Sequence, residues 1–233
     1  MSLPIAILAG GLATRLRPIT NQIPKALVPI AGVPFLTHQI HLLKSQGINE
    51  IVLCVGHLGE MIQEQYGNGE KFDIKISYSF DGEQPLGTGG AIAKALPMLG
   101  ERFFVLYGDS YLPIDYQAIA QAHIAAQKLG LMTVFENEGK WDTSNIWFEK
   151  GVIKAYDKKN LLPQMRFIDY GLSVFHRNAF RSASQKKSFD LSELFQDLIV
   201  KNELAGYVVA QRFYEIGSHS GLKELDQLLK NKS

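Results

Sequence analysis

Residues Leu3–Pro29 read LPIAILAGGLATRLRPITNQIPKALVP, and the class of fold follows from this segment. The apolar run Leu3–Leu8 predicts a buried strand, and the Ala-Gly-Gly that follows predicts a glycine-rich turn. Arg15 and Lys25 add cationic groups just beyond the turn. Glycines let backbone N–H groups approach anionic oxygens closely, and guanidinium groups add charge-assisted hydrogen bonds. The segment therefore favours a polyphosphate ligand at the end of the first strand.

The composition is that of a globular protein. The chain has 233 residues, of which 46% are hydrophobic and 20% charged, so we expect one domain with a packed core. The formal net charge of +1 predicts neither a nucleic acid nor a membrane surface as partner. No apolar run reaches transmembrane length, and no basic region precedes a signal core, which predicts a cytoplasmic protein. The single cysteine, Cys54, excludes an intrachain disulfide and is interpreted as a buried hydrophobe rather than a nucleophile.

Strands and helices alternate through the first half of the chain. This rhythm predicts an α/β fold with a doubly wound, mostly parallel sheet, whose ligands bind at the carboxyl ends of the strands. The predicted strands are Leu3–Ala9, Glu50–Val55, Asp73–Phe80 and Arg102–Tyr107. The predicted helices are Pro34–Gln46, Gly59–Tyr66, Thr88–Leu99 and Asp115–Lys128.

The second half is richer in strands, and we expect a mixed β subregion there. Its predicted strands are Met132–Phe135, Ser144–Phe148, Val152–Tyr156, Phe167–Phe175 and Gly206–Phe213. Its predicted helices are Asp190–Lys201 and Ser218–Lys230.

The opening segment resembles the signature of the sugar-1-phosphate nucleotidylyltransferases, G-G-x-G-T-R-L-x-P-x-T followed by P-K. Ala13 stands where that family usually has glycine. If this position needs a positive φ, alanine costs roughly 1 kcal/mol there. The matching positions are Gly10, Gly11, Thr14, Arg15, Leu16, Pro18, Thr20, Pro24 and Lys25.

The resemblance covers essentially the whole chain and implies the Rossmann-like nucleotide-diphospho-sugar transferase fold. It implies one nucleotidyltransferase domain over residues 1–233, with a nucleotide-binding half at 1–130 and a sugar-binding half at 131–233. Several family members append a left-handed β-helix, but the hexapeptide repeats of such a domain do not occur in this sequence.

A second glycine motif, PLGTGGA at Pro85–Ala91, matches the family's base-recognition loop. Glycines before a helix would offer free N–H groups and a flat surface to a nucleobase. The alternative is a tight turn in which Thr88 caps the helix. The motif looks most like that of the heptose-1-phosphate guanylyltransferases, because mannose-1-phosphate guanylyltransferases more often have alanine where Gly89 stands.

Two acidic residues are candidate Mg²⁺ ligands. Asp109 follows a buried strand at Gly108, where the family's G-D holds the metal, and Mg²⁺ prefers one or two carboxylates plus phosphate oxygens. Glu215 lies in a segment that resembles the family's D-I-G-T, with glutamate in place of aspartate. The alternatives are that Asp109 serves a turn or helix cap and that Glu215 ends a strand before the cap Ser218.

Candidate sugar-side residues come later in the chain. Asp157-Lys158-Lys159 stands at the family's E-K-P, and either lysine could bind the sugar phosphate, with Lys158 favoured. Asp169, Tyr170 and Gly171 stand at the family's N-A-G, which contacts sugar hydroxyls, although Asp169 could equally pair with Arg166. Asn145 could also reach this side. The aromatic residues Trp141, Trp147 and Phe148 could stack on the sugar, although aromatic residues in a strand region are more often core.

The resemblance implies Mg²⁺-dependent transfer of a nucleotide from a nucleoside triphosphate to a sugar 1-phosphate. Arg15, Lys25 and Asp109 would be the catalytic residues. We expect GTP with D-glycero-D-manno-heptose 1-phosphate; a mannose-1-phosphate guanylyltransferase, a uridylyltransferase and a non-catalytic regulatory subunit are the alternatives. The sequence leaves open whether the protein forms a homo-oligomer, as family members often form dimers or larger assemblies. The implied nucleotide contacts are Leu8, Ala9, Gly10, Gly11, Thr14, Gln84, Gly87, Thr88, Gly89, Gly90 and Gly108.

Overall fold

The strand that opens the chain lies inside the main sheet, hydrogen-bonded to a parallel neighbour on each side. The computed structural model describes residues 3–11, 13–183 and 186–231. Its strands are β1 (Ile5–Leu8), β2 (Pro29–Ile30), β3 (Val33–Pro34), β4 (Glu50–Val55), β5 (Lys75–Phe80), β6 (Arg102–Tyr107), β7 (Ser110–Tyr111), β8 (Gly130–Glu136), β9 (Ile146–Glu149), β10 (Val152–Tyr156), β11 (Phe167–His176), β12 (Leu204–Val208) and β13 (Tyr214–Glu215). Its α-helices are α1 (Phe35–Ser45), α2 (Gly59–Tyr66), α3 (Gly87–Ala95), α4 (Tyr116–Ala126), α5 (Leu191–Val200) and α6 (His219–Lys230).

Within the described residues the main sheet has nine strands in the order β5-β4-β1-β6-β11-β8-β12-β10-β9. The first four are parallel to one another. The rest is mixed, because β11 runs antiparallel to β6 and β8, whereas β12 is parallel to β8. The predicted α/β fold, with a parallel half and a mixed half, is confirmed.

Alternate side chains of the strands face two separate apolar layers, which is why helices cover both faces of the sheet. On β1, Ile5 and Ile7 pack with α1, α2 and α4, whereas Ala6 packs with α3 and α5. Cys54 of β4 is buried in the second layer, and burial raises its pKa to about 12. The interpretation of Cys54 as a buried hydrophobe is therefore confirmed.

Two short strand pairs that the sequence analysis did not predict lie outside the main sheet. β2 and β3 form a hairpin, and β7 pairs antiparallel with β13. In the second pair Ser110 lies opposite Glu215, and the Ile216 N–H donates to the carbonyl of Asp109 at 3.0 Å. This pairing brings the end of β6 beside the start of α6.

Several predicted boundaries shift. The helix predicted at Thr88–Leu99 ends as an α-helix at Ala95 and continues as a 3₁₀ turn over Leu96–Met98, since Pro97 has no N–H to donate. The strand predicted at Gly206–Phe213 ends at Val208. In the part of the chain that is described, no helix has both the length and the apolar character needed to cross a membrane.

Candidate active site

One cavity of about 1300 Å³ opens at the carboxyl ends of β1, β4 and β6 and extends towards β11. Predicted site residues that line it are Leu8, Ala9, Gly10, Gly11, Arg15, Lys25, Gly87, Thr88, Gly108, Asp109, Asn145, Lys158, Asp169, Tyr170, Gly171 and Glu215. Four predicted residues lie outside the lining: Thr14, Gln84, Gly89 and Gly90. The parallel strands thus gather residues from distant parts of the sequence at one edge, as the topology requires.

The loop after β1 carries two cationic groups into the cavity. The Lys25 ammonium donates to Asp109 Oδ2 at 2.9 Å, and both side chains are partly buried. Ala13 adopts a left-handed backbone with φ 45° and ψ 43°. Its φ is therefore positive, which is the conformation in which alanine is less stable than glycine. The Thr20 hydroxyl donates to the Ala13 carbonyl at 2.8 Å and holds this turn.

Asp109, Glu215 and Arg15 converge beside the α-carbon of Gly217. A Cβ placed on Gly217 would lie 2.8 Å from Glu215 Oε2, 3.1 Å from Asp109 Oδ2 and 3.4 Å from Arg15 Nη2. A side chain would fill this space, so glycine keeps it open. Two carboxylates that face one space fit Mg²⁺, which takes one or two protein carboxylates and completes its shell with substrate and water oxygens.

Glu215 is held by the start of α6. Its carboxylate accepts hydrogen bonds from the Gly217 N–H and from the Ser218 hydroxyl. Ser218 is also the helix cap, since its Oγ accepts from the Gly221 N–H at 3.0 Å. The alternative for this segment, in which Glu215 ends a strand before the cap Ser218, is thus present, and the metal-ligand role of Glu215 stays a prediction. The extra methylene of glutamate lets the carboxylate reach back to the helix start.

The glycine motif before α3 differs from the prediction. The N–H groups of Gly89 and Gly90 are not free, because both donate to the Phe189 carbonyl at 3.0 and 3.2 Å. A Cβ on Gly89 would lie 2.2 Å from the Phe189 ring. These two glycines therefore permit close packing against the segment before α5, and the prediction that their N–H groups are available to a base is wrong.

Thr88 does not cap its own helix. The α3 helix begins at Gly87, and Thr88 Oγ1 instead accepts from the Leu191 N–H at 2.7 Å. The same hydroxyl donates to Asp190 at 3.1 Å. Thr88 therefore joins the start of α3 to the start of α5, and the capping alternative is wrong.

Asp169 is enclosed beneath the end of the cavity that the sequence analysis assigns to the sugar. Its Oδ2 accepts from the Tyr107 hydroxyl at 2.7 Å, and its Oδ1 accepts from the Gly171 N–H at 3.0 Å. Burial raises the pKa of the Asp169 carboxyl and also that of the Tyr107 hydroxyl. The alternative pairing of Asp169 with Arg166 is wrong, because Arg166 pairs with Glu136 at 2.9 Å.

Lys158 and Lys159 are distinguished by their positions. Lys158 lines the cavity, with its ammonium 5.8 Å from the centroid of the Tyr156 ring. Lys159 is absent from the described lining, and its N–H donates to Asp157 in a local turn. The geometry therefore favours Lys158 as the cation of this end.

Several lining residues were not predicted. His57 and Asp81 follow the ends of β4 and β5, so the rule that ligands bind at carboxyl ends could have found them. Burial raises the pKa of Asp81. Arg212 and Glu224 also line the cavity and form a two-pronged ion pair, which no local pattern in the sequence signals.

Comparisons with known proteins show the family. The pattern of the family described as nucleotidyl transferase matches residues 5–232. The D-glycero-alpha-D-manno-heptose 1-phosphate guanylyltransferase of Campylobacter jejuni is 32% identical over 212 residues, which are 91% of this chain and 93% of that protein. The UTP–glucose-1-phosphate uridylyltransferase of Synechocystis sp. is 34% identical over 227 residues, which are 91% of this chain and 52% of that protein.

A solved structure shares the fold. HddC from Yersinia pseudotuberculosis, complexed with GMP-PN, superposes with a TM-score of 0.79 at 21% identity. The superposition covers 98% of this chain and all of that one. The likeness therefore extends over both halves of the sheet.

Proposed function

The chain belongs to the nucleotidyl transferase family and is a sugar-1-phosphate nucleotidylyltransferase, and on that premise we propose that it joins GTP to D-glycero-D-manno-heptose 1-phosphate. A phosphate oxygen of the sugar 1-phosphate attacks the α-phosphorus of GTP. The bond from that phosphorus to the bridging α,β-oxygen breaks, and pyrophosphate leaves. The attacking phosphate is already an anion, so the step needs no general base.

The observation that carries this proposal is the meeting of Lys25, Asp109, Glu215 and Arg15 at one point of the cavity. Catalysis of this step depends on positioning and on neutralising phosphate charge. Arg15 would bind the β- and γ-phosphates, and Lys25 would bridge the α-phosphate and the incoming phosphate.

Asp109 and Glu215 are the residues that would hold Mg²⁺, which would neutralise phosphate charge. The Lys25–Asp109 pair supports these roles for the lysine and the carboxylate. Lys25 faces the carboxylate that would hold the metal, so an α-phosphate bound to that metal would also lie near the lysine.

Three observations support this choice of sugar and base. The relative from Campylobacter jejuni matches over nearly its full length and acts on manno-heptose 1-phosphate with a guanylyl donor. The sequence LGTGGA at Leu86–Ala91 agrees with that group. Asp81 adds a carboxylate that lines the cavity and is hydrogen-bonded to the Leu86 backbone, and a carboxylate there can accept from the N1–H and N2–H donors of guanine.

A uridylyltransferase is the second candidate, favoured by the 34% identity to the Synechocystis sp. enzyme. The test is pyrophosphate release across the four nucleoside triphosphates and a set of sugar 1-phosphates that includes manno-heptose, mannose, glucose and N-acetylglucosamine. We expect the strongest turnover with GTP and the manno-heptose. Preference for UTP and glucose 1-phosphate would establish the second candidate. Nucleotide binding without any pyrophosphate release would instead support a regulatory subunit.

A further inference from the structure

Trp141 and Arg212 form a stacked pair on the wall of the cavity. The guanidinium carbon of Arg212 lies 3.7 Å from the centroid of the Trp141 ring and 5.2 Å from that of Tyr214. Glu224 in α6 accepts two hydrogen bonds from the same guanidinium. A planar guanidinium fixed on both sides in this way keeps one orientation. The pair therefore ties the loop between β8 and β9 to the segment before β13 and to α6.

The loop that carries Trp141 is organised from beneath. Asn137 is fully buried, and its side-chain oxygen accepts from the Trp141 N–H at 3.0 Å. Its amide nitrogen donates to the Asp142 carbonyl and to Ser144. These contacts set the position of Trp141, whose side chain is nevertheless 46% exposed at the cavity. Stacking on Arg212 covers one face of the Trp141 ring, and the exposed remainder of the indole lies at the cavity.

Two polar atoms of cavity-lining residues, one of them on Arg212, lack partners within the described residues. Arg212 Nε and Asn145 Oδ1 are both buried from solvent without a hydrogen bond, and both residues line the cavity. Buried polar atoms are normally satisfied, so an unpaired donor and an unpaired acceptor in one cavity point to a polar ligand. A donor and an acceptor together suit hydroxyl groups, which both donate and accept.

The pair lies at the sugar-side end of the cavity. Phe213, next to Arg212, packs edge-on against Tyr170, which follows the buried Asp169. Within the described residues the Lys158 ammonium at this end forms no ion pair, whereas the charge of Arg212 is balanced by Glu224. The phosphate therefore suits Lys158, and Arg212 suits neutral hydroxyls.

We propose that Trp141 and Arg212 determine which sugar 1-phosphate the enzyme accepts. The Trp141 ring covers the pyranose, and Arg212 donates to the hydroxyls of the carbon chain beyond the ring. A heptose has one more hydroxyl-bearing carbon there than a hexose, so Arg212 favours the heptose. This inference rests on the proposed function and adds the residues that set its sugar preference.

The test compares wild type with Trp141→Ala, Arg212→Lys and the control Trp147→Phe. Trp147, the second of the two tryptophans, is absent from the described lining of the cavity, so the structure does not support it as a stacking residue for the sugar. For each protein, kcat and KM are measured with manno-heptose 1-phosphate, with mannose 1-phosphate and with GTP. Thermal unfolding identifies any variant that has lost its fold.

We expect Trp141→Ala to raise the KM for both sugar phosphates about tenfold or more while the KM for GTP changes less than about twofold. Arg212→Lys keeps the charge but loses the planar fork, and we expect it to lower kcat/KM for the heptose about tenfold more than for mannose. Trp147→Phe should match wild type. Unchanged sugar KM values in a folded Trp141→Ala protein, or an unchanged heptose preference in Arg212→Lys, would overturn the inference.

A direct binding measurement separates this inference from the proposed function. In Trp147→Phe the remaining tryptophan is Trp141, so its fluorescence reports on the cavity wall. We expect sugar 1-phosphates to quench it in a saturable titration even if GTP proves to be the wrong nucleotide. Turnover of another nucleotide or sugar with saturable quenching would reject the proposed substrates but keep the sugar contact. Absence of quenching with a sugar phosphate that is turned over would reject the contact itself.

Discussion

The Lys25 ammonium lies 2.9 Å from Asp109 Oδ2, although 84 residues separate the two in the sequence. The loop after β1 supplies the lysine and the end of β6 supplies the carboxylate, and the two strands are parallel neighbours. The pair thus joins the loop expected to bind phosphate to the carboxylate expected to hold the metal. Its side chains are 19% and 30% exposed, which leaves both groups accessible to a ligand.

Replacing Lys25 with methionine should abolish most of the activity without unfolding the protein. Loss of one preorganised cation at the reacting phosphate is expected to lower kcat about 100- to 1000-fold. The pair itself is partly exposed, so its loss should cost less than about 1 kcal/mol of stability. Pyrophosphate release and thermal unfolding measure the two effects. Lys44→Met removes an exposed lysine paired with Asp73 and should leave turnover near wild type; similar turnover in both variants would contradict the role of Lys25.

The two carboxylates should control the dependence on Mg²⁺. Asp109→Asn and Glu215→Gln are each expected to raise the Mg²⁺ concentration for half-maximal activity about tenfold or more, because a neutral amide is a weaker ligand. Binding of Mn²⁺, followed by electron paramagnetic resonance, should weaken in parallel. Excess EDTA should stop the wild-type reaction. Asp226→Asn, which removes a carboxylate elsewhere on α6, serves as the charge control. An unchanged Mn²⁺ affinity in both site variants would exclude these residues as ligands.

Alanine substitution at two glycines should have opposite effects on stability and turnover. In Gly89→Ala the new Cβ would meet the Phe189 ring at 2.2 Å, and overpacking of this kind is expected to cost about 1–3 kcal/mol despite the better helix propensity of alanine. Gly11 has no atom within 4 Å of the same position, so Gly11→Ala should keep the stability of wild type but lose turnover, because Gly11 lies in the loop expected to bind phosphate. Urea unfolding and pyrophosphate release distinguish the two. Equal stabilities would show that Phe189 moves aside without cost.

Ala13→Gly should stabilise the protein. Ala13 has φ 45°, and glycine adopts this conformation without the steric cost that alanine incurs, so we expect a gain of up to about 1 kcal/mol. The matched control is Ala122→Gly inside α4, where the same change should cost about 1 kcal/mol. Both values come from denaturant midpoints. A loss of stability in Ala13→Gly would mean that unfolded-chain entropy outweighs the local strain.

Stability should fall in acid because of His123. This residue of α4 is buried, and burial, helped by the nearby charge of Arg102, lowers its pKa to about 4. The unfolded chain binds the proton near pH 6.5 and the folded protein only near pH 4. The neutral ring therefore makes its full contribution to the free energy of unfolding above pH 6.5. This contribution, about 3 kcal/mol, is lost as the pH falls towards 4.

The variant His123→Leu should lack this part of the acid loss. Unfolding free energies at pH 7 and pH 4 should differ less in His123→Leu than in wild type, whereas the exposed His219→Gln should behave as wild type does. Equal acid losses in all three proteins would assign the effect to other groups.

Local patterns were sufficient for much of the secondary structure. The strands Glu50–Val55, Arg102–Tyr107 and Val152–Tyr156 and the helix Gly59–Tyr66 have the bounds that their apolar runs and turn residues predict. Motif spacing also placed Arg15, Lys25 and Asp109 at one end of the sheet, because parallel strands that follow one another align their carboxyl ends. The roles of these residues in catalysis stay predictions.

Tertiary structure decided the contacts between segments far apart in the chain. The two-residue strands β7 and β13 are too short to show a pattern, yet their pairing places Glu215 beside Asp109. The sequence alone predicts that the N–H groups of Gly89 and Gly90 are free donors, but in the folded chain both donate to the Phe189 carbonyl. Trp141 and Arg212 meet only because the β8–β9 loop and the segment before β13 fold against each other. Periodicity and motif spacing report neighbours along the chain, whereas these contacts arise when the sheet brings distant loops to the same edge.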